Sequence, residues 1–250
     1  MKIMDFKDKA GIVTGAASGI GAAVARELVN LGGRVVIADF DEEAARALSQ
    51  ELGAERTAVF RLDVADPAAN EALVAFTLGM FDRLDFAVNN AGIGAPSMKL
   101  ADIPLDSWSR VLDVDLNSVF YAMKYQIPAM VERRGGAIVN MASILGAVGW
   151  SGSAAYVTAK HALVGMTKVA ALDYADAGVR VNAVGPGFVS TPALEKTMTA
   201  EERAGLAAKH ALNRLASPEE IASVTAFLLS ERASFVTGSY YPVDGGYLAV

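Results

Sequence analysis

The sequence predicts an α/β fold: one doubly wound, mostly parallel, seven-stranded sheet with helices on both faces and a small helical lid. Three observations carry that prediction. Short apolar runs alternate with stretches of helical periodicity along most of the chain, the pattern of strands joined by crossover helices. The first strand turns on three glycines into an amphipathic helix. Polar and glycine punctuation falls at the C-terminal ends of the predicted strands, the edge where open α/β sheets hold ligands. The 250 residues, 53% of them hydrophobic, can bury a sizeable core. No linker, repeat or low-complexity tract divides them, so residues 1–250 read as a single domain.

The elements follow in order. Ile12 and Val13 form an apolar strand that Gly15, Gly19 and Gly21 break. A helix then spans about residues 20–31, with Val24, Leu28 and Leu31 at helical spacing. Such a turn aims backbone N–H groups and the positive end of a helix dipole at one point, which favours a pyrophosphate. Glycine is needed because a Cβ would hold the phosphate away from the backbone. The spacing G-x-x-x-G-x-G is not the commoner G-x-G-x-x-G, and a plain glycine-rich loop fits the triplet alone. A second strand at 34–38 ends on Asp39, about 20 residues on, where a nucleotide-binding βαβ unit carries an acid for the adenosine ribose.

A helix at 41–52 and a strand at 58–62 lead to Asp63 and Val64. Asp66 and Pro67 read as an N-cap and first-turn proline of a helix to about residue 80. Strand 86–88 stops at Asn89-Asn90-Ala91-Gly92; a long helix covers 106–131; strand 137–141 ends at Ala142-Ser143. A loop of small residues at 146–153, interrupted by Trp150, precedes a second long helix at 154–174. Strand 179–184 ends at Gly185-Pro186-Gly187. Residues 188–213 break the rhythm and fit the lid. Ser217 and Glu220, at capping-box spacing, open a helix to about residue 229, and 240–243 is the last strand.

Composition excludes several functions. Without cysteine there is no disulfide and no thiolate metal site. Two histidines, His161 and His210, do not make a histidine-rich metal centre, so no metal is expected. His161 reads as structural and His210 as surface. A net charge of −6 without a basic tract argues against nucleic acid or an acidic membrane surface as partner. No run approaches a membrane span, and residues 1–7 lack a signal-peptide core, so a soluble cytoplasmic protein is expected.

Tyr156 and Lys160 are four apart on a predicted helix, with Cβ atoms roughly 5–6 Å apart. A free phenol titrates near ~10 and is a poor base at neutral pH; a neighbouring ammonium favours the phenolate. The pair could take a proton from an alcohol or return it to a carbonyl oxygen. Ser143, 13 residues earlier, could hydrogen-bond the reacting oxygen where charge develops. Alone, the Tyr/Lys spacing also fits an exposed helix surface.

Taken together, Thr14-Gly15-x-x-x-Gly19-x-Gly21, Asp63, Asn89-Asn90-Ala91-Gly92, Asn117, Ser143, Tyr156-x-x-x-Lys160 and Pro186-Gly187 resemble the short-chain dehydrogenase/reductase family over essentially the whole chain. Segments 121–127 and 234–239 look most like its NAD-dependent branch acting on cyclic or other hydrophobic secondary alcohols. The resemblance implies a Rossmann-type sheet and a homotetramer formed through the long helices. It makes Tyr156 the acid/base, and Lys160 the group that favours its ionised form and binds the nicotinamide ribose. Ser143 would steady the substrate oxygen, and Asn117 would hold a water linking Lys160 to solvent. By the same resemblance Gly15, Ser18, Gly19, Ile20 and Gly21 bind the dinucleotide, Asp63 and Val64 meet adenine, Asn90 and Gly92 the adenosine side, and Pro186, Gly187, Val189 and Thr191 the nicotinamide end.

Asp39 accepts hydrogen bonds from ribose hydroxyls and repels a 2′-phosphate, and no arginine follows it directly, so NAD is the expected cofactor. Leu145, Trp150 and Phe188, with Ser143 and Tyr156, would wall a mostly apolar substrate pocket. The expected reaction interconverts a hydrophobic secondary alcohol and its ketone. A 3-oxoacyl-thioester (acyl-carrier-protein) reductase and a non-catalytic dinucleotide-sensing regulator are the alternatives; the second would need no Ser/Tyr/Lys set.

Overall fold

In the computed structural model, which describes residues 5–249, seven strands form one sheet in the order β3-β2-β1-β4-β5-β6-β7. They are β1 (Ala10–Thr14), β2 (Arg34–Asp39), β3 (Thr57–Arg61), β4 (Phe86–Asn89), β5 (Gly136–Met141), β6 (Val179–Pro186) and β7 (Tyr240–Val243). Every pairing is parallel, where the sequence promised only a mostly parallel sheet. Parallel strands need long crossovers, and the intervening helices supply them.

Successive strand residues point to opposite faces, and both faces are covered. Val13, Val35, Ile37, Val88 and Val139 pack under α1 (Gly19–Asn30), α2 (Glu42–Leu52) and α9 (Pro218–Leu229). Ile12, Val36, Ala87, Ile138 and Val181 pack under α3 (Pro67–Phe81), α5 (Ser118–Glu132) and α6 (Ala154–Asp173). Strand β1 pairs with both β2 and β4, so the chain reverses its direction of winding between β1 and β4. Crevices of open α/β sheets form at that reversal.

A buried amide chain fixes the strands beside the crevice. The Asn89 amide donates to Asn140 and Gln126, Gln126 donates back to Asn89, and Asn140 donates to the Thr167 hydroxyl. Fully paired polar groups in a low-dielectric interior hold β4, β5, α5 and α6 in one arrangement.

The helix expected at 106–131 is interrupted. Helix α4 (Leu105–Leu112) and α5 are joined by a π turn at Asp113–Asn117. The lid at 188–213 is made of α7 (Pro192–Thr197) and α8 (Ala200–Ala207), each opened by a threonine N-cap.

His210 is a correction. Expected on the surface, it is 5% exposed. Its Nε2 accepts the Phe188 N–H at 3.1 Å, and its Nδ1 pairs with the Leu206 carbonyl at 3.0 Å. The ring packs edge-on against Phe188 and is tilted against Tyr247. An imidazole that joins the start of the lid to its end must be inside; its sequence neighbours, Lys209 and Ala211, gave no sign of that.

Among the described residues, no helix is long and apolar enough to cross a membrane, and no group of three metal-ligating side chains converges.

Candidate active site

The glycine turn after β1 is built for close approach. Gly15 and Gly19 have φ of +60° and +53°, which L side chains rarely adopt. A Cβ on Gly15 would come within 2.8 Å of the Ala91 Cα, and one on Gly21 would strike the Gly15 carbonyl. Asn90 holds the turn from β4: its amide donates to the Thr14 and Gly15 carbonyls at 3.0 Å, and its N–H donates to the Thr14 hydroxyl. Ser18 is the N-cap of α1 and is exposed, and its side chain makes no cap bond.

A cavity of about 470 Å³ opens over this turn. It is lined by Gly15, Ser18, Gly19, Ile20, Asp39, Asp63, Val64, Asn90, Gly92 and Thr191. Asp39 spends one lone pair of each oxygen locally: Oδ2 accepts the Ala17 N–H at 2.8 Å and Oδ1 the Asp41 N–H at 3.0 Å. Asp41, not Asp39, caps α2. Each Asp39 oxygen keeps a second lone pair, directed by these bonds and available to a diol. Asp63 accepts the Ala65 N–H, which fixes its carboxylate at the cavity wall. Arg61 carries no signal of its own in the sequence. It pairs with Asp39 across β3 and β2, and its guanidinium lies 4.9 Å from the Phe40 ring centre. A dinucleotide fits this set: a glycine cradle that a Cβ would fill, uncapped helix N–H groups, and a carboxylate at the far end.

A second cavity, of about 690 Å³, shares Ile20, Asn90, Gly92 and Thr191 with the first. Ser143, Tyr156, Lys160, Pro186, Gly187 and Val189 line it, as do Leu145, Trp150 and Phe188. The lid closes it with Leu194, Met198 and Leu206, opposite Gly94 and Ala95. Trp150 and Phe188 meet edge to face at 5.5 Å, and the Lys209 ammonium lies 5.3 Å from the Trp150 ring centre.

The polar groups sit at the junction of the two cavities. The Lys160 side chain is buried, donates to the Met141 carbonyl at 3.1 Å and lies 5.3 Å from the Tyr156 ring centre. The Ser143 hydroxyl accepts the Leu145 N–H at 3.1 Å. Its carbonyl accepts the Tyr240 hydroxyl at 2.7 Å. Burial, with Asp244 nearby, pushes the Tyr240 phenol up to about 12. Tyr240 is therefore a neutral tether for the serine strand end rather than a second base.

This arrangement agrees with what the whole chain resembles. A family model described as Enoyl-(Acyl carrier protein) reductase matches residues 15–248. The chain belongs to the short-chain dehydrogenase/reductase family. It is 44% identical to a cyclohexanol dehydrogenase of Acinetobacter sp. (strain SE19), over 98% of each chain. It is 45% identical to a cis-4-hydroxycyclohexanecarboxylate dehydrogenase of Sinomonas cyclohexanicum, again over 98% of each. A 3-oxoacyl-(acyl-carrier-protein) reductase of Salmonella typhimurium is 37% identical, over 99% of this chain and all of that one. As a short-chain dehydrogenase/reductase with these relatives, the protein is an oxidoreductase acting on CH–OH groups, and such dehydrogenases use a nicotinamide dinucleotide.

One site expectation for this short-chain dehydrogenase/reductase does not match the geometry. Asn117 lines neither cavity, and its amide donates to the Asp113 carboxylate at 2.9 Å. The residue facing Lys160 is Asp115, fully buried on the same π turn. The reason is register: Val111, Asp115, Ser118 and Ala122 form one inward stripe, and Asn117 lies off it. A carboxylate on a stripe of apolar and small residues is the signal for Asp115 in the sequence.

Proposed function

We propose that this enzyme interconverts a hydrophobic secondary alcohol, cyclic ones included, and its ketone with NAD(H), with Tyr156 moving the proton. The observation that carries the reading is Tyr156 beside buried Lys160 and Ser143, where an apolar pocket meets the glycine cradle. The glycine turn would hold the pyrophosphate, Asp39 the adenosine ribose, and Lys160 the nicotinamide ribose. When bound, the nicotinamide supplies the acceptor for the hydride that leaves the carbinol carbon. Ser143 donates a hydrogen bond to the substrate oxygen, and Tyr156 takes the hydroxyl proton as the ketone forms. In reverse, Tyr156 returns that proton to the carbonyl oxygen.

The names of two relatives, both dehydrogenases of ring alcohols, support the cyclic class. Asp39 supports NAD over its 2′-phosphorylated form. The thioester reductase at 37% identity keeps a second reading in view, against which stands a net charge of −6 where an acidic carrier protein would have to dock. Cyclic, aryl and aliphatic alcohols, followed by NADH absorbance beside a 3-oxoacyl thioester, separate the two. Preferred oxidation of cyclic secondary alcohols is expected; faster thioester reduction would transfer the assignment.

Trp150 should set the shape of the pocket. Trp150→Ala is expected to change the ratio of kcat/KM between cyclic and linear alcohols by about tenfold or more, with NADH affinity within about threefold. Substrate profiling with fluorescence titration of NADH checks both; an unchanged profile would remove Trp150 from the specificity wall.

A cytoplasmic homotetramer completes the reading. Phe120 on α5 and Val169 and Leu172 on α6 remain exposed, and apolar side chains clustered on two long helices suit a subunit contact. Light scattering should return four times the 26.1 kDa of the chain; a monomer would refute the assembly.

A further inference from the structure

A buried carboxylate with no part in the chemistry above stands beside the reacting pair. Asp115 has none of its surface exposed and occupies the centre of the π turn, a distortion found frequently at functional sites. Its Oδ1 accepts the Ile93 N–H at 2.8 Å, while its Oδ2 is buried without a hydrogen-bond partner on the protein. A methyl group at Gly92 would stand 2.8 Å from Oδ1 and 3.6 Å from the Lys160 Nζ. Carboxylate and ammonium thus both border the space that a Gly92 Cβ would fill, at the point where the two cavities join.

Burial pushes the Asp115 carboxyl above the ordinary carboxylate range, against the pull of Lys160 and of the Ile93 N–H. A half-satisfied buried carboxylate costs stability, and holding the Ile93 N–H alone would be served by an amide. The charge itself therefore needs a reason.

Resting on the reading of the site as an alcohol oxidoreductase, we propose that Asp115 is a positioning residue of that reaction: its carboxylate, near Lys160 beside Gly92, balances the ammonium and sets the pH at which Tyr156 accepts the alcohol proton. The charged and titratable groups around the π turn are few. Helix α6 brings Lys160 and Tyr156, α4 brings Arg110, and the turn itself brings Asp113. Asp113 holds the Asn117 amide, and Arg110 lines the adenosine-side cavity. The loop at 89–95 and the buried residues of α5 at 118, 119 and 122 carry no charge. Lys160 is the charge that acts on Asp115.

A negative charge beside Lys160 opposes a second one on Tyr156. Asp115→Asn removes it while keeping an oxygen for the Ile93 N–H. The acid limb of kcat/KM for alcohol oxidation is then expected to move to lower pH by about one unit. A second effect distinguishes the charge from a packing role. The folded-state carboxyl titrates above its unfolded value, so its contribution to stability is complete below the unfolded value and lost as pH rises through the folded one. Asp115→Asn should therefore melt higher than wild type at alkaline pH while its pH profile shifts.

The same shift can be read without turnover. With tyrosines carrying carbon-13 at Cζ and Tyr156 assigned through Tyr156→Phe, the ionisation midpoint of Tyr156 in the NAD-bound protein should fall in Asp115→Asn. A profile and midpoint that coincide with wild type overturn the proposal, whatever happens to the melting temperature. A wild type that oxidises no secondary alcohol removes the reading of the reaction, while the NMR titration still decides on Asp115. If Asp115→Asn does not fold, Asp115→Ala removes the same charge and answers to the same two readouts.

Discussion

Tyr156→Phe is expected to lower alcohol oxidation by about 1,000-fold or more and to leave the affinity for NADH within about threefold. The magnitude follows from what a positioned acid/base contributes, roughly 10²–10⁴-fold. The hydroxyl is the one atom removed, so the ring still packs beside Lys160, whose ammonium stays tied to the Met141 carbonyl. No other phenol can substitute. Tyr240, near the same strand end, is held neutral by burial and already donates to the Ser143 carbonyl. Steady-state kinetics and fluorescence titration of NADH check the split between turnover and binding. Turnover retained to within tenfold would take the proton away from Tyr156, and a protein that binds NADH but never turns over any alcohol would be a sensor rather than an enzyme.

Asp39→Asn is expected to raise kcat/KM for NADP relative to NAD by about 100-fold or more. Two unit charges ~4 Å apart near a protein surface interact by roughly 4 kcal/mol, close to a thousandfold in affinity. The carboxylate opposes a 2′-phosphate by an amount of that order, reduced by solvent. The amide removes the repulsion and retains an oxygen for the Ala17 N–H. Arg61 lies level with Asp39 on the neighbouring strand, its guanidinium 4.9 Å from the ring centre of Phe40, which lines the cavity. Initial rates with both cofactors measure the change. A wild type that already prefers NADP would refute NAD as the cofactor.

The parts of the site legible in sequence were those whose geometry is local. A glycine turn, a strand that ends on an acid and two side chains four apart on a helix are set by neighbours in the chain, and the structure brings Gly15, Asp39, Ser143, Tyr156 and Lys160 to two adjoining cavities. The strand and helix order was legible for the same reason, since period-two and period-3.6 patterns each report a short window. What was not legible depends on contacts between distant segments. Arg61 comes level with Asp39 because β3 lies beside β2 in a particular register. His210 is buried because the lid folds back on Phe188, 22 residues earlier. Asp115 rather than Asn117 meets Lys160 because one stripe of a distorted helix faces α6. Residue type favoured the amide; only the packing of the turn could select the acid.

The hydrogen bond from Tyr240 to the Ser143 carbonyl spans 97 residues of chain. It joins the strand at the outer margin of the sheet to the backbone of Ser143, which lines the same cavity as Tyr156. Strand β7 is thus tied to the wall of that cavity. A nascent chain halted before residue 240 would already carry Ser143, Tyr156 and Lys160 and still lack the clasp that holds the Ser143 backbone.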